Sequence, residues 1–171
     1  MLADRCESVP LHHPNDAVYA IDGTIYFTDA NKDNSVLCRI DRKGKVHTAS
    51  RDCRLAHGVA LAPNQQKLYV ADAGGANIRV YDIAGDGSLK NGRLFAEVRC
   101  HGLKTDEEGN VWATDGDAIT VLNPRGTKLG SIAMPETPSN CAWGEGFRGL
   151  YVTARSSIYK IRANVNGTRT Y

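Results

Sequence analysis

The feature that most constrains this chain is a repeat of about 40 residues. Short polar segments recur along the sequence, and each is followed by a β-rich run and then by a second strand-like run. The segments contain Asn15, His57, His101 and Asn140, so the successive steps are 42, 44 and 39 residues. Units of about 40 to 45 residues with several short strands are typical of the blades of a β-propeller.

The strand predictions rest on residue type and on turn signals. The runs IYFT, LYVA, VWAT and LYVT are rich in β-branched and aromatic residues, and turn-forming pairs such as Asp22-Gly23 bound them. A β-sandwich with coincidental spacing is the alternative, but strands and turns repeat in the same order in every unit. We therefore predict an all-β protein, a β-propeller with about four blades of four-stranded antiparallel sheets, at approximately 14–50, 55–99, 100–135 and 138–163.

The two ends of the chain leave the closure of the ring open. The last unit lacks a fourth strand, and a polar tail follows at 164–171. The N-terminal segment, 1–13, could supply a closing strand. Otherwise the propeller is incomplete, and its open edges favour association, which predicts a homo-oligomer.

Composition excludes several classes of partner. The net charge is +2 over 171 residues, and no run of Lys or Arg exceeds two, which argues against nucleic acid. No apolar stretch approaches the roughly 18 residues of a membrane span. The N-terminus lacks the pattern of a secretory signal, and five Cys without CxxC spacing suggest reduced thiols. We therefore expect no membrane partner and a cytoplasmic location.

Polar side chains recur at the start of the first strand of each unit. Because these strands line the channel of a propeller, Asn15, His57, His101 and Asn140 are expected to converge at one mouth. Imidazole nitrogens suit zinc or iron better than calcium, and either His could act as a general base. The alternative is that these residues only cap strands. Cys100 and Cys141 flank the mouth positions, where a buried apolar role is favoured over a nucleophilic one.

Several segments resemble one known family. They are PNDAVYAIDGTIYFTD, HGVALAPNQQKLYVAD, HGLKTDEEGNVWATD, SNCAWG and GLYVTARSSIYKIR. The match, from about Pro14 to Arg162, is to the gluconolactonase / senescence-marker-protein (regucalcin-like) family. The resemblance implies four C-terminal blades of a six-bladed propeller that hydrolyses sugar lactones with one divalent metal, often calcium.

The resemblance also implies roles for the mouth residues. Asn15 matches a metal-binding Asn of the family, whereas His57 stands where a second Asn is usual and His101 where an Asp is usual. A Glu ligand from an early blade has no counterpart. We predict a metal site of Asn15, His57 and His101, which holds calcium by family resemblance, or zinc or iron because two oxygen ligands are replaced.

The expected chemistry is hydrolysis of a sugar lactone. The metal would polarise the carbonyl, and His101 or Asp16 would activate water. The predicted substrate-binding residues are His13, Asn140 and Asp115. Two alternatives remain open: a catalytically inactive truncated propeller that acts as a binding module, and a scaffold for protein partners.

Overall fold

A computed structural model describes residues 1–169, so the last two residues of the predicted tail, 170 and 171, lie outside the described part. The described residues form seventeen strands and no helix. None of this part of the chain could therefore cross a membrane as a helix. The prediction of an all-β propeller is confirmed, because antiparallel sheets follow one another along the chain as successive blades.

Each blade is a meander of strands in sequence order. The first consists of β3 (Pro14–Tyr19), β4 (Ile25–Asp29), β5 (Val36–Ile40) and β6 (Val46–Ser50). The second consists of β7 (Ala56–Leu61), β8 (Lys67–Asp72), β9 (Asn77–Ile83) and β10 (Leu89–Ala96). The third consists of β11 (Cys100–Thr105), β12 (Val111–Asp115), β13 (Ala118–Leu122) and β14 (Lys128–Ala133). The fourth has only three strands, β15 (Pro138–Gly144), β16 (Gly149–Ala154) and β17 (Ser157–Arg162).

The core lies between neighbouring blades, which explains why the second strands read as continuous apolar runs. Along β8, Leu68 and Val70 pack with residues of the first blade, while Tyr69 packs with residues of the third. Because successive side chains of a strand point to opposite faces, both faces of the second blade are buried.

The N-terminal segment packs on the first blade. Strands β1 (Arg5–Cys6) and β2 (Val9–Pro10) form their own two-stranded sheet, and a disulfide joins Cys6 to Cys38 of β5. Leu11 packs with Phe27 on the face of this blade that no other blade covers. The expectation of reduced thiols is wrong for this pair, because the fold brings together two cysteines that are 32 residues apart in sequence.

The fourth blade is the last in the series of blades, and one of its faces is not covered by another blade. Ile158 is 73 % exposed there and Tyr151 is 37 % exposed. The described segment 1–13 does not join this sheet. Homo-oligomer formation by an open propeller stays a prediction.

Candidate functional site

Three of the four predicted mouth residues, Asn15, His57 and His101, lie at the same register position of their blades. Asn140 lies one residue further along its strand, at the position that Asp16 takes in the first blade. Each inner strand (β3, β7, β11 and β15) contains an irregularity where one extra residue is inserted opposite the second strand of its blade. Asn15, His57, His101 and Asn140 lie in or directly beside these bulges. A β-bulge bends a strand and redirects its side chains. The repeat therefore places one polar side chain per blade at the same end of the inner strands.

The structure brings two of these side chains into direct contact. The Nδ1 atoms of His57 and His101 are 3.1 Å apart, and the rings meet edge to face with centroids 4.8 Å apart. His101 is exposed and His57 is half-buried. Burial, and secondarily the neighbouring imidazole, lowers the pKa of His57. The neutral imidazole of His57, which offers a lone pair, is therefore favoured, and a proton on one of the two facing Nδ1 atoms makes the hydrogen bond.

Two glycines allow this close approach of the inner strands. A Cβ at Gly58 would lie 2.6 Å from the carbonyl oxygen of His101, and a Cβ at Gly102 would lie 2.6 Å from Cα of Asn140. Strand β7 therefore touches β11, and β11 touches β15, at the level of the mouth. Asn140 is consequently held beside the strand that carries His101, and its Oδ1 accepts a hydrogen bond from the amide of Cys141 at 2.8 Å.

Threonines on the second strands fix the bulges, a role that the sequence analysis missed. The Oγ1 atom of Thr28 donates to the carbonyl of His57 at 2.5 Å. The Oγ1 atom of Thr114 accepts from the amides of His101 and Gly102 at 3.2 and 3.0 Å. The signal in the sequence was the Thr-Asp pair, which recurs at 28–29 and 114–115.

Asp16, a predicted catalytic residue, lies inside a network. Its Oδ2 accepts from the amide of Val59 at 3.0 Å and from Nζ of Lys104 at 3.4 Å, and its Oδ1 accepts from the amide of Ala17 at 2.9 Å. The carboxylate thereby links three blades next to Asn15. Its role as a base stays a prediction, and one of about four acceptor positions is left for it.

Two of the aspartates at the ends of the second strands organise the loops that lead into the mouth. The buried carboxylate of Asp29 accepts from the amides of His12 and His13, and that of Asp72 accepts from the amides of Arg54 and Leu55. These carboxylates satisfy loop N–H groups that would otherwise be unpaired.

The predicted substrate-binding residues differ in their surroundings. Asp115 is half-buried, and its Oδ2 accepts from Thr120 at 3.0 Å. His13 is exposed, and Asn15, also exposed, lies two residues further along the chain. A substrate-binding role for His13, Asp115 and Asn140 remains a prediction.

The cysteines beside the mouth are unsuited to nucleophilic chemistry. Cys100 and Cys141 are both buried. Burial raises the pKa of Cys141 to about 11, and it also raises the pKa of Cys100. Their thiols therefore stay protonated near neutral pH, in keeping with the predicted apolar role.

The donors at the mouth form a mixed set. Among residues 1–169 no group of three or more His, Cys, Asp or Glu side chains is arranged to hold a metal ion. The imidazoles of His57 and His101 face each other, and Asn15 lies on the neighbouring strand β3. A role of these three residues as metal ligands stays a prediction.

Comparison with known proteins assigns this chain to a family. The sequence profile of the SMP-30/Gluconolactonase/LRE-like region matches residues 1–156. The chain belongs to this family. The resemblance predicted from the motifs is therefore confirmed.

Individual relatives are longer than this chain. It is 29 % identical to a gluconolactonase of Zymomonas mobilis, with 98 % of this chain and 55 % of that protein covered. A gluconolactonase structure from Xanthomonas campestris matches with a TM-score of 0.85 and 25 % identity, over 98 % of this chain and 61 % of the other. A calcium-binding regucalcin from Agrobacterium tumefaciens shares the fold, with a TM-score of 0.78 and 14 % identity over 91 % and 62 % of the two chains. The chain spans between half and two thirds of these relatives.

Proposed function

We propose that this chain is a divalent-metal-dependent hydrolase of a sugar lactone, with His57, His101 and Asn15 as the metal ligands. The observation that carries the proposal is the pair of imidazole Nδ1 atoms 3.1 Å apart at the shared bulge position of β7 and β11. The gluconolactonase relatives support the substrate class.

The donor set fits zinc or iron and does not fit calcium. Nitrogen ligands lie about 2.0–2.1 Å from zinc, which puts two of them about 3.3 Å apart in a tetrahedral site. The observed 3.1 Å between the imidazole nitrogens is close to this value. Calcium prefers six to eight oxygen ligands, whereas two of the three proposed ligands here are nitrogens. A metal bound here would polarise the lactone carbonyl and lower the pKa of water.

The proton transfer requires a general base that is not itself a metal ligand. An imidazole that uses Nδ1 as a ligand keeps its proton on Nε2, so His101 cannot also accept a proton while it holds a metal. We therefore assign the base to Asp16. Its carboxylate takes a proton from the attacking water and returns it to the ring oxygen as the C–O bond of the lactone breaks. The product is the open-chain hydroxy acid.

Lactone hydrolysis by the metal-loaded chain tests this proposal. Glucono-δ-lactone opening is followed in a pH-stat, with chelator-treated protein and with protein reloaded with Zn²⁺ or Ca²⁺. We expect activity with Zn²⁺, and a loss of about 10²- to 10⁴-fold in kcat for Asp16→Asn, the size typical of a lost general base. Restoration of activity by Ca²⁺ but not by Zn²⁺ would refute the ligand assignment.

A second candidate is a non-catalytic binding module. It is favoured by the two His, which stand where the family resemblance implies oxygen ligands. Background hydrolysis in a metal-loaded, monodisperse sample supports it. The double variant His57→Asn/His101→Asp then distinguishes inactivity caused by the replaced ligands from inactivity caused by missing blades, because these substitutions can restore only the ligands.

The predicted cytoplasmic location meets one opposing observation. The Cys6–Cys38 disulfide is of a kind that persists in oxidising compartments and is rare in the cytosol. Free-thiol labelling of the protein in intact cells checks the location: two protected cysteines would argue against a reducing compartment.

A further inference from the structure

A cavity lies at the end of the inner strands opposite to the mouth. Its volume is about 390 Å³, and it is bounded by the last residues of β3, the end of β15 with the turn that follows, and Lys104 of β11. None of Asn15, His57, His101 and Asn140 lines it. Sites for small molecules typically measure about 300–1,000 Å³, so this cavity is large enough for a sugar-sized ligand.

Aromatic rings form the walls of this cavity. Tyr19 and Trp143 line it from β3 and β15. The Nε1 atom of Trp143 donates to the carbonyl of Thr105 at 2.8 Å, and its ring meets Trp112 edge to face with centroids 5.3 Å apart. The indole is thus fixed in orientation, and it presents a rigid apolar surface of the kind that gives binding at low entropic cost.

The turn after β15 is held in an uncommon backbone conformation. Glu145, Gly146 and Phe147 have φ angles of 52°, 66° and 69°. A bulky residue such as Phe at positive φ is a conformational outlier, and such strain concentrates at ligand sites. All three residues line the cavity, so the strained segment and the cavity coincide.

Charged side chains of both signs, Lys104 and Glu145, line the cavity. Lys104 donates from Nζ to the carbonyl of Leu103 at 3.0 Å and to Oδ2 of Asp16 at 3.4 Å. An ammonium group has three N–H donors, and contacts with residues 1–169 use two of them. One N–H donor therefore remains for a ligand. On the other side Glu145 pairs with Lys160 at 2.5 Å. The cavity therefore offers one cationic donor and one carboxylate acceptor on different elements.

We propose that this cavity binds the open-chain aldonate that forms when the lactone ring opens. The ligand carboxylate contacts Lys104, its C–H face packs on Trp143 and Tyr19, and its hydroxyls donate toward Glu145. Ring opening converts a neutral lactone into a carboxylate, so a cation in an apolar cavity distinguishes the product from the substrate. This inference rests on the proposed lactone hydrolysis and assigns product binding to the far end of the inner strands, where Lys104 also contacts the proposed base Asp16.

Isothermal titration of the intact chain with sodium gluconate tests the proposal, with glucose as the uncharged probe. We expect saturable binding of gluconate and at least tenfold weaker binding of glucose. Lys104→Met should weaken gluconate binding at least tenfold, since a hydrogen bond to a charged group is lost, whereas Lys104→Arg should retain it. Glu145→Gln should weaken gluconate binding less than Lys104→Met does, because the amide oxygen still accepts from the ligand hydroxyls.

Variants at exposed positions keep the test independent of folding. Tyr19 is 51 % exposed, and Tyr19→Ala should weaken gluconate binding several-fold. Ile21→Ala is the matched control, because Ile21 is 71 % exposed and lies outside the cavity. Equal effects of the two substitutions, equal binding of glucose, or full binding by a folded Lys104→Met protein would each overturn the proposal.

The mouth must be separated from the cavity in the same experiment. Gluconate binding that disappears in His57→Ala/His101→Ala and persists in Lys104→Met places the ligand at the mouth and overturns the inference. Lactone hydrolysis without gluconate binding overturns the inference alone. Gluconate binding that depends on Lys104 in a chain without hydrolysis overturns the proposed function and the product role, and leaves a sugar-acid site.

Discussion

Loss of the Cys6–Cys38 disulfide should destabilise the chain by an amount that follows from its loop length. The bond closes a loop with a sequence separation of 32 residues. The chain-entropy relation gives about 3.7 kcal/mol at 25 °C for a loop of that size, within the range of 2–4 kcal/mol typical of native disulfides. The bond also holds Cys6, which is fully buried, and the adjacent N-terminal segment over the open face of the first blade.

Urea unfolding followed by circular dichroism measures this effect. The free energy of unfolding of Cys6→Ala/Cys38→Ala should be about 2–4 kcal/mol below that of the oxidised wild type. Dithiothreitol should lower the wild-type midpoint toward that of the variant and leave the variant unchanged. Oxidised and reduced wild-type proteins with the same midpoint would refute the reasoning that this bond ties the N-terminal segment to the first blade.

Further predictions concern the mouth. Gly102→Ala should lower the free energy of unfolding by about 1–3 kcal/mol in urea, because its Cβ collides with Asn140, whereas Gly130→Ala, with open space around it, should change little. Thr28→Val should cost about 1 kcal/mol in the same assay, because the hydrogen bond to the His57 carbonyl is lost. The pKa of His57 is lower in the folded chain than in the unfolded chain, so the unfolded chain binds a proton on this side chain more readily. The contribution of His57 to the free energy of unfolding is therefore complete above its unfolded pKa and is lost as the pH falls through its folded pKa. In chelator-treated samples, acidification below about pH 6.5 should therefore lower Tm more in the wild type than in His57→Asn; equal pH dependence would contradict the assigned burial.

The repeat pattern was sufficient to predict the blades and to put Asn15, His57 and His101 at one register position, whereas Asn140 lies one residue further along. The segments with Asn15, His57, His101 and Asn140 recur at the blade period, and in a propeller that period returns the chain to the same place relative to the axis. Strand propensity and turn residues were consistent with the repeat, so local and global signals agreed. The bulges that orient these residues were not foreseen, because an inserted residue leaves no mark in a single sequence.

Contacts between distant segments could not be predicted. Lys104 meets Asp16 across 88 residues, and the N-terminal segment folds back onto the first blade to place Cys6 beside Cys38. Both depend on how blades pack around an axis rather than on local spacing. The odd number of cysteines pointed away from a disulfide, since a count gives no distance between side chains.

Zinc binding to the chelator-treated protein tests the central claim most directly. Isothermal titration should show about one Zn²⁺ per chain, tighter than Ca²⁺, and this binding should be lost in both His57→Ala and His101→Ala while each variant keeps the wild-type circular dichroism spectrum. Tighter binding of Ca²⁺, or zinc affinity unchanged by removal of either imidazole, would contradict the proposal that the facing nitrogens at 3.1 Å form the metal site.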